Sequence, residues 1–308
     1  MSASSPPGAS RSPVGEPTAV ATNLPRAQKL VLGRHTWDIS ERPLVMGILN
    51  RTPDSFYDKG AYFPMDRFLK RAEQVVSEGA DLVDVGGVKA GPGEPVSVQE
   101  EMDRVIPAVQ LLVDRFGAVV SVDTWRSDVA AAAFAAGAVL GNDISGMSDP
   151  SYAVVAAAAG AGVVVTHIRL GPRIPDPEPT YSDLVGQVEQ FVLERAAGAV
   201  AAGVSPDSVL LDAGLDLGKT PQQSLELLHA TDRLARNRYP VLLSASHKRF
   251  VGWAASIEDV TERGPASLAA AALGAWRGAR VIRAHDVKGT REVCSTIAAV
   301  LGARKVRR

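Results

Sequence analysis

The stretch DLVDVGG, residues 81–87, is a short apolar run set around two aspartates and closed by two glycines. The same plan recurs along the chain in LVMGILN (44–50), AVVSVDT (118–124), VLGNDIS (139–145), GVVVTHI (162–168), VLLDAGL (209–215), VLLSAS (241–246) and RVIRAHD (280–286). Longer segments of helical period separate these runs. Phe68, Ala72, Val75 and Val76 form one apolar stripe, and Leu184, Val188, Phe191 and Val192 form another. Gly79 stands just past the first stripe, where a helix uses a left-handed cap. Near-continuous apolar strands are buried on both faces, which calls for a parallel sheet covered by helices. Eight such units in this length specify an α/β protein, a (β/α)8 TIM barrel. A doubly wound open sheet is the alternative. It expects a Gly-x-Gly-x-x-Gly turn after the first strand, and the chain has none there.

The bulk composition narrows the function classes. The 308 residues carry a formal net charge of −1, so neither a nucleic-acid footprint nor a polybasic membrane patch is expected. No window is long and apolar enough for a transmembrane helix. The single Cys294 excludes an internal disulfide framework and fits a reducing cytoplasm. Residues 1–28, beginning MSASSPPGASRSPVGEPTAVATNLP, are rich in Pro, Ser, Ala and Gly, with no apolar stripe and no secretory core. They are expected to be a disordered arm ahead of one barrel domain spanning residues 29–308.

Each strand candidate ends in polar groups: Asn50, Asp84, Asp123, Asn142 with Asp143, His167, Asp212, Ser246 with Lys248, and Arg283 with His285. A strand-end aspartate often only caps the following helix, and that reading stays open for Asp84 and Asp143. A lone His167 is more often a packed, hydrogen-bonded histidine than a catalyst. A barrel, however, gathers all eight endings at one mouth, and a ligand site there is the default expectation. Asp123, Asn142, Asp212 and Lys248 suit a flat heterocycle of alternating donors and acceptors. Arg283 can stack on such a ring or fork onto phosphate. His285 points the same way as Arg283, and Asn50 offers a neutral oxygen to Mg²⁺.

MGILNRTPDSF, DVGG, SVDT, GNDISG, DAGLDLGK, SHKRFVG and RAHDV stand in the order found in dihydropteroate synthases, and residues 44 to 303 resemble that family. The resemblance implies a TIM barrel enzyme that joins a dihydropterin methyl diphosphate to p-aminobenzoate, with Mg²⁺ assisting departure of diphosphate. It implies that Asp123, Asn142, Asp212 and Lys248 hold the pterin and that Arg283 covers its face. Arg283, His285 and Asn50 would hold the diphosphate and metal, with Ser246 near the aminobenzoate. It also implies a homodimer through outer helices, with PASLAAAALGAWRG as the candidate face.

The resemblance breaks in the loops. The family's second-strand loop reads Asp-Ile-Gly-Gly-Glu-Ser-Thr-Arg-Pro-Gly; this chain has DVGGVKAGPG, with Val88, Lys89, Ala90 and Gly91 at the four changed positions. Ala90 has no hydroxyl and Gly91 no guanidinium. Tyr57 and Lys59 replace a small residue and a glycine in the first loop. Asp216 and Leu217 replace a glycine and a phenylalanine in the sixth, and His247 replaces an arginine. Asp216 is expected to add negative charge where an anionic acceptor would dock. Arg169 and Arg173, in the proline-rich fifth loop, are candidates to compensate. The pattern points to a homologue that kept the barrel and part of a pterin or aminobenzoate-like pocket while losing efficient synthase turnover. The alternatives are a working synthase with atypical loops and a transferase on the same barrel with another acceptor.

Overall fold

The computed structural model describes residues 29–51 and 65–302. The expected arm, residues 1–28, and the first-loop residues Tyr57 and Lys59 lie outside the described residues.

The chain opens with a hairpin that the sequence reading did not anticipate, β1 (Lys29–Leu32) against β2 (His35–Asp38). Eight parallel strands then follow: β3 (Leu44–Asn50), β4 (Leu82–Gly86), β5 (Val120–Asp123), β6 (Leu140–Asp143), β7 (Gly162–Thr166), β8 (Val209–Asp212), β9 (Leu242–Ser244) and β10 (Val281–Ala284). Their order is β8-β7-β6-β5-β4-β3-β10-β9, and a bridge from Leu211 to Val241 joins the two ends. The barrel read from the sequence is therefore the fold. Helices α1 (Met65–Ser77), α2 (Val98–Phe116), α3 (Ser127–Ala135), α4 (Pro150–Ala158) and α5 (Leu184–Ala201) cover the first five barrel strands. The short pair α6 (Pro221–His229) and α7 (Thr231–Ala235), then α8 (Arg249–Ala255), α9 (Gly264–Trp276) and α10 (Val287–Val300), complete the ring.

Strand alternation divides the barrel into two chemistries. Outward residues such as Val45, Val83, Val122 and Val163 pack against the helices. Inward residues Leu44, Met46, Leu82, Leu140, Val164, Leu210, Leu242 and Val281 join Leu30, Leu32 and Ile39 in a separate buried cluster. Two positions further along six of these strands, the next inward residues are Asp84, Asn142, Thr166, Asp212, Ser244 and Arg283. The interior is thus apolar at the strands' amino ends and polar at their carboxyl ends.

The hairpin closes the apolar end. Ser208 Oγ donates to Val31 O at 2.6 Å. Gly162 leaves room for the plug, because a Cβ there would meet Leu32 Cδ2 at 2.6 Å and Ser208 O at 2.5 Å. The polar end is left as the open mouth. Since Leu32 is fully buried, Leu32→Ala is expected to cost about 2–5 kcal/mol in a urea unfolding experiment. A loss below about 1 kcal/mol would show that the hairpin is not part of the core.

Candidate functional site at the barrel mouth

Asn50, Asp123, Asn142, Asp212, Lys248 and Arg283 all lie at or just beyond the carboxyl ends of their strands, so the closed barrel brings them to one mouth. The centre of that mouth is Arg283. Its Nε donates to Asp84 Oδ2 at 2.6 Å and its Nη2 to Asp123 Oδ2 at 2.8 Å. Asn142 Nδ2 donates to the same Asp84 oxygen at 3.1 Å. Asp84 is therefore part of the site and not a helix cap. Asp143 is the opposite case. It faces outward, accepts from Ser145 N at 2.6 Å and Met147 N at 2.9 Å, and shapes the turn after β6.

One guanidinium facing two carboxylates leaves one negative charge in excess, and burial makes that excess costly. Burial pushes the Asp123 carboxyl up to about 7, against the pull of Arg283 and helped by Asp84. Burial opposes the charge on Arg283 as well, but Asp84 and Asp123 outweigh it and raise its pKa. Burial also raises Asp212, whose Oδ1 accepts from Gly214 N at 2.8 Å. It lowers Lys248, whose Nζ donates to Leu215 O at 2.7 Å.

Ser246 Oγ lies 3.0 Å from His285 Nδ1 and accepts from His285 N at 3.1 Å. Burial, followed by the nearby Arg283, His247 and Arg71, lowers His285 to about 3. A neutral imidazole stands there at ordinary pH. His247 packs edge-on to it, with ring centroids 5.1 Å apart, and its Nδ1 is 2.7 Å from Val260 O. At Asn50, Oδ1 would lie 3.3 Å from a Cβ on Gly86, so a glycine is required for β3 and β4 to leave the amide in the mouth.

Four of the changed loop positions, Ala90, Gly91, Asp216 and Leu217, line a cleft of about 390 Å³ beside this centre, together with Lys248. Val88 is buried beneath the second loop, and Lys89 is exposed. Asp216 adopts φ +64° in the cleft wall, and its carboxylate accepts from Phe250 N at 3.2 Å and from Ser224 Oγ at 3.3 Å. It therefore caps the amino end of α8. The carboxylate expected beside the cleft is thus held by these two donors. Of the two candidate compensating cations, Arg173 stands in the cleft wall. Arg169 is paired with Asp176. Arg173 donates through Nη2 to Glu94 O at 2.6 Å and through its backbone N to Ala90 O at 3.0 Å.

Lys219 went unassigned in the sequence reading, although it ends the DAGLDLGK motif. It is buried, with Nζ 2.9 Å from His167 Nδ1 and donating to Leu217 O at 2.9 Å. Burial lowers Lys219 to about 7 and His167 to about 3. His167 is thus a packed residue that helps tie the fifth loop to the sixth. Ser121 and Thr166 also face inward; Ser121 Oγ, Thr166 Oγ1 and Asp84 Oδ1 are buried without a hydrogen-bond partner among the described residues. Inward parity was the signal for all three.

A closed parallel barrel with a polar, charge-rich mouth is an enzyme-type ligand-binding barrel. The model of the family described as pterin binding enzyme matches residues 46–285, and the chain belongs to that family. It is 43% identical over 285 residues to the inactive dihydropteroate synthase 2 of Mycobacterium leprae, covering 90% of this chain and 96% of that one. It is 36% identical over 267 residues to the dihydropteroate synthase of Escherichia coli, covering 86% and 94%. The solved dihydropteroate synthase of Xanthomonas albilineans with 4-aminobenzoic acid superposes with a TM-score of 0.82 at 36% identity, covering 89% of this chain and 98% of that one. The chain is a divergent homologue of the dihydropteroate synthases.

The Asp123 assignment has a stability consequence. Its folded pKa is about 7, above the ordinary 3.8. A raised acid contributes stability that is complete below about pH 4 and lost as pH rises through about 7. Asp123→Asn is expected to remove that loss, so that urea midpoints measured from pH 4 to 8 run flatter in the variant than in the parent. Parallel curves would refute the assignment.

Proposed function

We propose that this protein is a dihydropteroate synthase homologue that binds a pterin-like ring in the barrel mouth and makes little or no dihydropteroate. The observation that carries the reading is the convergence of Ala90, Gly91, Asp216 and Leu217 on one cleft next to a polar centre that remains complete. In the proposed assignment Asp123, Asn142, Asp212 and Lys248 hold the ring by its donor and acceptor edge, and Arg283 leaves its carboxylates to cover the ring face. Arg283, His285 and Asn50 meet the diphosphate, and Ser246 faces an aminobenzoate-like group.

Two features argue against turnover. The second-strand loop supplies neither hydroxyl nor guanidinium, and charge-assisted hydrogen bonds of that kind are each worth about 1.5–3 kcal/mol. The backbone N–H of Phe250 at the start of α8, which faces this region, is already held by the Asp216 carboxylate. For Mg²⁺, the Asn50 oxygen is a single neutral donor, and among the described residues no three His, Cys, Asp or Glu side chains group together. Mg²⁺ keeps most of its waters and takes substrate phosphate oxygens, so these residues fit a metal that enters with diphosphate.

The supporting expectations belong to the same proposal. No helix among the described residues is long and apolar enough to cross a membrane. Cys294 is buried, with its thiol pushed up to about 12 by burial, so it is an unreactive core residue; the cytoplasmic proposal rests on there being a single cysteine. On α9, Leu273 and Trp276 are 39% and 43% exposed on one outward stripe, the proposed homodimer face. Trp276→Arg is expected to convert a dimer to a monomer in analytical ultracentrifugation; an unchanged dimer would remove this face from consideration. Residues 1–28 are proposed as an arm that adds nothing to the stability of a single 29–308 domain.

Purified protein with dihydropterin methyl diphosphate, p-aminobenzoate and Mg²⁺ is expected to turn over at least about 100-fold below the median enzyme rate of about 10 s⁻¹. Turnover near that median would overturn the reading. Gly91 has nothing within 4 Å of where a Cβ would stand, so a side chain can start there without a backbone clash. Ala90→Thr with Gly91→Arg is expected to raise the residual rate, while pterin affinity measured by calorimetry stays within about threefold.

A further inference from the structure

A second cleft of about 370 Å³ continues from the first, and the two share Asp176, Lys219 and Arg249 in their walls. Its far side is formed by Trp253 and the prolines Pro177, Pro179 and Pro221. The mouth cleft alone exceeds the needs of a single-ring acid, and both clefts fall within the usual range of about 300–1,000 Å³ for small-molecule sites. Together they make a groove that runs out of the mouth and along α8.

The chemistry along this groove is uneven. At the junction Asp176 is committed to Arg169, and Lys219 is committed to His167 and Leu217. Arg249 is exposed and makes no hydrogen bond or ion pair among the described residues. Trp253 lies one turn further on, in the i+4 relation that puts both side chains on one face of α8. Its indole is 51% exposed although proline surface stands beside it. An unpaired guanidinium and an open indole on one face are suited to an aromatic carboxylate, the ring against the indole and the acid on the fork. The mouth cleft offers the exposed apolar residues Leu170 and Ile174, with Leu217, to a first ring.

We infer that the groove takes an elongated aromatic acid: one ring in the mouth cleft, a second planar segment against Trp253, and a carboxylate on Arg249. This rests on the reading that the mouth cleft is the ligand site, and it names a longer ligand than a single-ring acid.

The test compares two probes on the full chain, 4-aminobenzoate and 4-(4-aminobenzamido)benzoate, by calorimetry and by quenching of tryptophan fluorescence. The two-ring acid is expected to bind about tenfold tighter and to quench fluorescence, a margin of the size that one aromatic pair and one charge contact supply. Trp253→Ala is expected to abolish the quench and most of the margin. Arg249→Gln is expected to weaken the two-ring acid more than 4-aminobenzoate and so reduce the margin. Both residues are exposed, and melting curves check that the variants fold. Equal affinity for the two probes, or a margin that survives Trp253→Ala, overturns the groove and leaves the mouth reading standing. Failure of both probes to bind overturns both.

Discussion

The arrangement of the mouth depends on a guanidinium that serves two carboxylates. Arg283 comes from β10, while Asp84 and Asp123 come from β4 and β5, so the bridge spans the barrel past β3. Each partner requires the others. Asp84 is fully buried and takes its charged hydrogen bond from Arg283. Removing one member of a buried ion pair costs about 3–5 kcal/mol, because the remaining charge is stranded. The guanidinium also presents planar N–H donors of the kind an aminopyrimidine edge carries. The carboxylates are thus paired with a group that resembles the edge of the ring they are proposed to bind. A ligand must supply equivalent donors as it displaces Arg283 from the carboxylates.

The same constraint divides the residues that can change from those that cannot. Ala90 and Gly91 are exposed, and no buried charge relies on them. Asp216 sits at φ +64°, a backbone region that suits glycine, and it is tolerated because its carboxylate caps α8 and meets Ser224. Arg173, at φ +66°, is used in a similar way, fastening the fifth loop to the second through Ala90 O and Glu94 O. These contacts are structural gains at positions where the proposed function no longer requires chemistry.

The barrel and its polar rim were legible because strand periodicity carries both. An apolar inward residue followed two places later by a polar one reads directly from pairs such as Leu82 with Asp84 and Leu210 with Asp212. What stayed illegible required register or distant partners. Asn142 and Asp143 are adjacent and only one can face inward, so the turn-shaping role of Asp143 needed the strand's orientation. The hairpin escaped notice because its strands are four residues each, too short for a period to stand out, and their value as a plug depends on Gly162 and Ser208 more than a hundred residues away. The contact from Arg173 to Glu94 O could not be read from the sequence, because its partner lies 79 residues away.

Stability and catalysis therefore weigh on different parts of this mouth. The deep set on β4, β5, β6 and β10 is one connected group of buried charges and hydrogen bonds, and loss of any member strands the rest whether or not a reaction occurs. The loop residues act only when substrate is present, so folding does not restrain their replacement. A barrel relieved of its reaction would lose loop chemistry first and keep its polar floor, because each step inward meets a larger folding penalty. A floor that persists for structural reasons still binds what its geometry fits. Ligand binding without turnover is then what the proposal expects of such a protein: charge pairing would keep the seat for a ring, while Asp216 and Arg173 beside it serve as a helix cap and a loop fastener.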